Sequence, residues 1–538
     1  MRSEGTPGGG ADTAGGGWRT TVETLLHPRV VTMLFLGFAA GLPLLLIFSS
    51  LSLWLREAGV ERAAVTFFSW AALGYSFKWV WAPLIDRLPV PGLTRWLGRR
   101  RAWLLVAQGL IIVALLGMAW TDPAGSAASL ILMALAAVLL GFAAATQDIV
   151  IDAYRIEAAE SKLQAMMSAT YIAGYRLGML VAGAGALFLA GAFGTAMGQY
   201  YYPAWRWTYT LMAATMLIGV ATTLLVPEPA RRHGGEVAYS TREYMRFVLL
   251  FVLAVSVFIG VFVASAAVVE QVQQAWSSSS GQAHIVGFVV ELLRLGAAVL
   301  AAGMVAWMAI AAGVVERAMV QTAYVDPVRE FFRRYGTQTA WLVLALVGVY
   351  RISDIVLGVI ANVFYQDVGF SKAEIATIVK TFGLFMTIAG GFLGGVLAAQ
   401  YGVMRILWLG AWLSAATNLL FMGLAYMGHA PLMLAVVILA DNLSAGLASA
   451  AFVAFLSSLT SVAFTAVQYA IFSSLMTLIP KLLGGYAGSM VEAMGYAGFF
   501  VLTTLLGVPV LLLVRWARSM SIENSNGLQL SSQGRSAG

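Results

Sequence analysis

The chain has no cysteine and only four histidines, His27, His233, His284 and His429, all at the edges of hydrophobic runs or in loops. Disulfides, thiolate metal sites and cysteine nucleophiles are therefore excluded, and four scattered imidazoles make a poor metal or redox centre. No metal or cofactor is expected. Charge is scarce as well, with 11% Asp, Glu, Lys and Arg against about a quarter in soluble domains. At 60% hydrophobic residues and a mean hydropathy of +0.83, 538 residues do not read as three or four soluble domains. They read as an all-α polytopic membrane protein, because a bilayer is crossed by helices of about 20 apolar residues.

Fourteen such stretches follow one another, at roughly 30–54, 63–85, 102–120, 128–151, 165–192, 205–226, 246–269, 285–315, 339–366, 374–399, 403–427, 431–456, 465–488 and 496–515. The connections are too short for a soluble catalytic domain, so an enzyme is not expected. A net charge of +7 would point to nucleic acid in a soluble chain. Here its distribution reports orientation. Of the 32 Lys and Arg, 22 lie in segments on the side of the N-terminus, and only Arg56, Arg62, Arg206 and Lys372 lie in the opposite loops. The positive-inside rule then places both termini in the cytoplasm. Residues 1–28 are Gly-rich and lack the features of a signal peptide, so they read as a disordered cytoplasmic tail, as do 517–538.

The sequence also repeats. Trp54-Leu-Arg-Glu-Ala-Gly59-Val-Glu-Arg62-Ala63 is echoed by Tyr365-Gln-Asp-Val-Gly369-Phe-Ser-Lys372-Ala373, and Arg176-Leu-Gly178 by Lys481-Leu-Leu-Gly484. Similar offsets imply two duplicated bundles that rock about a site at mid-membrane. The expected organisation is a six-helix bundle over 29–226, a linker with two extra spans over 227–338, and a second six-helix bundle over 339–516, as a monomer.

Six basic residues fall inside spans: Lys78, Arg176, Arg294, Arg351, Lys380 and Lys481. Five acids join them, Asp148, Asp152, Glu291, Asp354 and Asp441. Left facing lipid, the set would cost on the order of 30 kcal/mol, so these groups must line a wet cavity or pair with each other. Helical spacing pairs Arg351 with Asp354 and Glu291 with Arg294, and places Asp148 and Asp152 on one face. Two carboxylates sharing a face repel, an arrangement in which one can carry a proton, and Asp152 can also pair with Arg155. Asp148, Asp152, Asp354 and Asp441 are the candidates for proton coupling. The core cations Lys78, Arg176, Arg351, Lys380 and Lys481 imply an anionic substrate.

Aromatic and amide side chains accompany the charges. Tyr75 and Trp79 are four residues apart beside Lys78, and Tyr171 and Tyr175 precede Arg176, spacing that suits either helix packing or cover for a sugar ring. Gln147, Asn442 and Gln468 need polar partners in a span, supplied by a ligand or by a neighbouring helix.

Asp86-Arg87 and Gly98-Arg99-Arg100-Arg101, between the second and third spans, resemble the signature of the major facilitator superfamily, with a longer spacer. The resemblance implies a six-plus-six helix core in which Asp86, Arg87, Arg99 and Arg100 latch the cytoplasmic side. More narrowly, several segments resemble the AmpG-type muropeptide permeases: Leu36-Gly37-Phe-Ala-Ala-Gly41-Leu-Pro43, Phe77-Lys78-Trp-Val-Trp-Ala-Pro83, Gln147-Asp148-Ile-Val-Ile-Asp152, Gly174-Tyr-Arg176-Leu-Gly, Tyr350-Arg351-Ile-Ser-Asp354, Lys380-Thr-Phe-Gly383, Asp441-Asn442 and Gln468-Tyr-Ala. That resemblance covers about residues 28–516 and leaves out the two extra spans. It implies a bacterial inner-membrane symporter that imports anhydro-muropeptides with protons, for peptidoglycan recycling and beta-lactamase induction. A rival reading is a permease of the same fold for another bulky anion, such as acetyl-CoA.

Overall fold

The computed structural model describes residues 25–47, 49–60, 75, 77–158, 161–196, 198–229, 241–265, 267–268, 271–272, 283–371, 374–484 and 487–534. Twelve helices among them are long and apolar enough to cross a membrane. Most of the second expected span, and residues 1–24 of the expected N-terminal tail, lie outside the described residues.

The first bundle begins with α1 (Pro28–Ile47), which continues as Ser49–Glu57. After the short α2 (Ala82–Arg87) come α3 (Arg99–Ala119), α4 (Ala127–Ala158) and α5 (Ser161–Leu180). A π turn, Val181–Gly185, carries α5 on into Ala186–Ala192. The bundle closes with α6 (Tyr202–Thr215), prolonged by Leu217–Leu225. In place of the two extra spans expected, α7 (Thr241–Ala264), apolar enough over Arg242–Ala264 to cross a membrane, packs on α8 (Ala283–Ala311), whose apolar stretch Gly296–Ala311 is shorter. The short helix α9 (Asp326–Tyr335) leads into the second bundle: α10 (Thr337–Val349), α11 (Ile352–Asp367), α12 (Gly383–Tyr401), α13 (Val403–Met427), α14 (Pro431–Leu459), α15 (Thr465–Gly484) and α16 (Ala487–Gly534). α10 and α11 together form one span, broken at Tyr350 and Arg351. In α16 the backbone turns at Gly495, whose φ of +70° suits a residue without a Cβ. It then stays helical to Gly534, across the stretch from 517 expected to be a disordered tail.

Small residues explain how closely the helices pack. Gly37 and Gly41 of α1 meet the Tyr171 and Tyr175 carbonyls of α5, while Gly174 and Gly178 of α5 meet the Leu34 and Phe38 carbonyls of α1. A methyl at any of these positions would run into backbone, which has no rotamer to yield. α12 and α14 lock in the same way through Gly390, Gly394 and Gly446. The two bundles meet along α5 and α12, where Gly395 faces Ala169, and along α4 and α15.

In the extra hairpin, Arg294 donates to the Phe262 carbonyl at 2.5 Å and lies over the Phe262 ring. The side chain of Glu291, its expected partner, is outside the described residues.

Candidate functional site

One face of the protein is zipped shut by charge. Arg100, 1% exposed at the start of α3, reaches Asp86 Oδ1 at 2.7 Å, Glu157 Oε1 at 2.5 Å and Thr465 Oγ1 at 2.8 Å. Thr465 in turn donates to Glu157. Two carboxylates against one guanidinium leave an excess of negative charge in a buried place, which is unfavourable without a further positive group. The second bundle supplies it, because Ala466 N and Val467 N, at the start of α15, donate to Asp86 at 3.3 and 3.0 Å. A helix N-terminus carries roughly half a positive charge there. Arg99 Nη1 donates to the Asp86 carbonyl at 2.6 Å, and Arg87 Nη2 to the Thr322 carbonyl at 3.0 Å. Of the expected quartet, Asp86, Arg99 and Arg100 are thus brought together, while Arg87 turns to the Thr322 carbonyl.

A second tie runs deeper. Arg155, fully buried, joins Asp152 at 3.2 Å, Ser168 at 3.1 Å and, across the interface, Ser457 at 2.5 Å. Lys78 approaches the other oxygen of Asp152 at 3.7 Å. Asp152 therefore sits between two cations. On the opposite face these polar contacts stay within one bundle: Glu57 accepts from Thr195 and Trp205, and Glu374 meets His429.

Between the faces, Asp148 has a buried Oδ1 with no hydrogen-bond partner among the described residues, as does the Tyr75 hydroxyl. Lys78 and Asp152 are its charged neighbours, and Tyr75, Tyr171 and Tyr175 all feel its charge. Across the interface, Arg351 pairs with Asp354 at 3.2 Å and donates to Ser449 at 2.9 Å. Asp354 also accepts from Ser414, and Asp441 completes this cluster. Arg176 faces Arg351 closely enough for the two charges to repel, and has no acidic partner among the described residues. Arg351 stands at the break between α10 and α11, an interruption of the kind that places binding groups inside membrane carriers. Lys380, on the π segment Ile375–Phe382, is exposed and donates to Asn362 at 3.0 Å, while Lys481 is exposed on α15.

Three expected substrate ligands, Gln147, Asn442 and Gln468, bond to neighbouring elements, and a fourth, Trp79, is exposed. Trp79 is 38% exposed while Lys78 beside it is buried, because a 3-10 turn over Lys78–Val80 replaces the helical period that would align Trp79 with Tyr75. Gln147 donates to the Ala39 carbonyl, and Asn442 accepts from Thr387, so both tie helix to helix. Gln468 binds Pro327, Glu330 and Ser461, fastening α15 to the α9 region.

The sequence reading missed Glu157, Thr465 and Ser457 altogether, and noted Arg155 only as a partner for Asp152. Glu157 is nine residues from Asp148, about two and a half turns of helix, so its face differs, and no spacing rule links it to Arg100. Its one available signal was an acid at the inner end of a span, opposite an arginine cluster.

A pair of helical bundles closed over facing charged clusters defines a membrane carrier. The sequence profile of the Major Facilitator Superfamily matches residues 30–348, and the chain belongs to that family of transporters. It is 29% identical over 488 residues to "Putative transporter AmpG 4" of Rickettsia felis, covering 91% of this chain and 96% of that one. It is likewise 29% identical over 489 residues to the "Anhydromuropeptide permease" of Escherichia coli K12, covering 91% and 79%. Solved structures of the proton:xylose symporter XylE share the fold, with TM-scores of 0.53 and 0.56 at 13% identity, covering 92% of this chain and 95% of theirs.

Proposed function

We propose that this chain is an AmpG-type permease of the bacterial inner membrane that imports anhydro-muropeptides by proton symport. The observation that carries the reading is Arg176, a cation between the two bundles with no acid to neutralise it, facing Arg351. Two facing guanidiniums repel unless an anion lies between them, and a peptide stem bears carboxylates that arginine binds in bidentate fashion. Tyr75, Tyr171 and Tyr175 offer faces and hydroxyls for the sugars. Similarity to an anhydromuropeptide permease over 91% of the chain supports the same substrate class.

An inside-negative potential opposes anion entry by about 2.3 kcal/mol per charge per 100 mV, so uptake against a gradient needs a positive partner. Asp148, the acid with an unpartnered oxygen, is the proton carrier in this reading, with Asp441 its counterpart in the second bundle. With both termini cytoplasmic, the zipped face is the cytoplasmic gate and the site opens to the periplasm. The imported fragments would then serve cell-wall recycling and the induction of beta-lactamase. Uptake of a labelled anhydro-muropeptide into proteoliposomes under an imposed pH gradient tests this. Saturable uptake abolished by a protonophore supports it, uptake indifferent to the protonophore removes symport, and no uptake removes the substrate.

A further inference from the structure

The α11 helix carries more than Arg351. Asn362 lies 11 residues further on, so it stands about three turns, or about 16 Å, along the helix from Arg351 at its N-terminal cap. Lys380 is held against that upper position by its bond to Asn362 at 3.0 Å. It stands on the π segment Ile375–Phe382, and such insertions in membrane helices re-aim side chains at functional sites. From the other flank α15 reaches the same level, where Gly484 lies against the Val359 side chain, one turn before Asn362. Lys481 is three residues before Gly484, on the same side of α15. Neither lysine has an acidic partner among the described residues. Both are exposed although both lie within spans. The two lysines thus flank the same end of α11, whose other end carries Arg351.

We propose that Lys380 and Lys481 form a second anion subsite, distinct from Arg176 and Arg351, which takes the far carboxylate of an extended peptide held by its near carboxylate at the arginines. This rests on the glycopeptide reading above and assigns the substrate its direction: sugars against the tyrosines of the first bundle, peptide along α11 in the second. A span of about 16 Å matches an extended peptide of four or five residues at about 3.3 to 3.6 Å each. The lysine pair therefore reads stem length, and a stemless disaccharide never reaches it.

The test compares uptake of an anhydro-disaccharide carrying a tetrapeptide with uptake of the same disaccharide without its peptide, in wild type, K380Q/K481Q and K380R/K481R. Losing a charge-assisted contact raises KM about ten-fold or more for the tetrapeptide substrate in the glutamine variant. The stemless substrate keeps its wild-type KM, and the arginine variant keeps the tetrapeptide preference. The stemless substrate also serves as the control for folding. Wild-type uptake of both substrates with equal KM changes in the glutamine variant overturns the subsite alone. Failure of wild type to take up either substrate overturns the glycopeptide reading and this inference with it.

Discussion

Replacing Asp86 with asparagine isolates the part of the latch that exists only when the gate is shut. Arg100 and Glu157 belong to the same bundle as Asp86, so their contacts persist on opening and cancel between the two states. The contacts that do not cancel are those from Ala466 N at 3.3 Å and Val467 N at 3.0 Å, together with the positive end of α15. Hydrogen bonds to a charged acceptor contribute about 1.5 to 3 kcal/mol, and a helix-terminus charge about 0.3 to 2 kcal/mol. Asparagine keeps one acceptor oxygen and no charge, so the closed state loses about 1.5 to 3 kcal/mol relative to the open one. That is a ten- to 150-fold shift in the equilibrium. The lack of cysteine makes the measurement clean. Ala470→Cys adds a single thiol at a position 2% exposed, packed in the same cluster as Leu84 and Ala153 of the other bundle. Its reaction with a hydrophilic maleimide in nanodiscs should be slow in the otherwise wild-type protein and at least ten-fold faster with Asp86→Asn. Thr465→Ala, which removes a hydroxyl bridge and no charge, should give a smaller acceleration. Equal rates for Asp86→Asn and wild type would refute the latch.

Three further outcomes follow from the geometry. Gly174→Ala should destabilise the protein by about 1 to 3 kcal/mol, since its methyl meets the Leu34 carbonyl, while Gly109→Ala, with nothing within 4 Å, should be neutral or slightly stabilising; thermal unfolding in detergent distinguishes them. Arg176→Gln should cut uptake kcat/KM at least about ten-fold without lowering the melting temperature, because no acidic partner is orphaned; a fall in melting temperature would reveal a structural ion pair. The Ser371 backbone N–H and hydroxyl, together with His429, hold Glu374 down at about 2 from its ordinary 4.5. A depressed acid stabilises the fold above its ordinary pKa and loses that contribution as pH falls through the folded value, so melting should drop between about pH 4.5 and 2 in wild type and less in Glu374→Gln.

The membrane-spanning helices were legible in kind because burial in lipid leaves an unmistakable record of apolar length, and twelve helices among the described residues are long and apolar enough to cross a membrane. Charge was legible in kind but not in partnership. Helical spacing foresaw Arg351 with Asp354 and Asp152 with Arg155, since both pairs lie within one helix or its edge. It could not foresee Arg100 with Thr465 or Arg155 with Ser457, which are 365 and 302 residues apart and meet only through the docking of two bundles. The amides were ambiguous for a related reason. Gln147, Asn442 and Gln468 look alike in sequence whether a ligand or a neighbouring helix satisfies them; here Asn442 and Gln468 are met by neighbouring helices, while Gln147 donates to the Ala39 carbonyl and keeps a buried Oε1 without a partner among the described residues. Trp79 is exposed beside a buried Lys78 because a three-residue 3-10 turn departs from the helical period there, a change its composition does not announce.

α4 ties the two charged regions into one device. Asp148, Asp152 and Arg155 share one face of a single helix, so the unpartnered acid and the cross-bundle tie to Ser457 lie about 10 Å apart on one rigid rod. Lys78 stands between them, paired with Asp152 and within the field of Asp148. While Asp148 is charged, Lys78 is shared between two carboxylates; once Asp148 is neutral, Lys78 belongs to Asp152 alone and competes more strongly with Arg155 for it. A change of charge at Asp148 would therefore, on the proton-coupled reading, alter the hold of Arg155 on the gate through Lys78, with Tyr75, Tyr171 and Tyr175 as further polar neighbours among the described residues. On the proton-coupled reading, the labelling of Ala470→Cys, normalised at each pH to the unfolded chain, should vary between pH 5.5 and 8. Lys78→Gln should flatten that response while leaving the thiol reactive. An unchanged pH response in Lys78→Gln would show that site and gate communicate by another route.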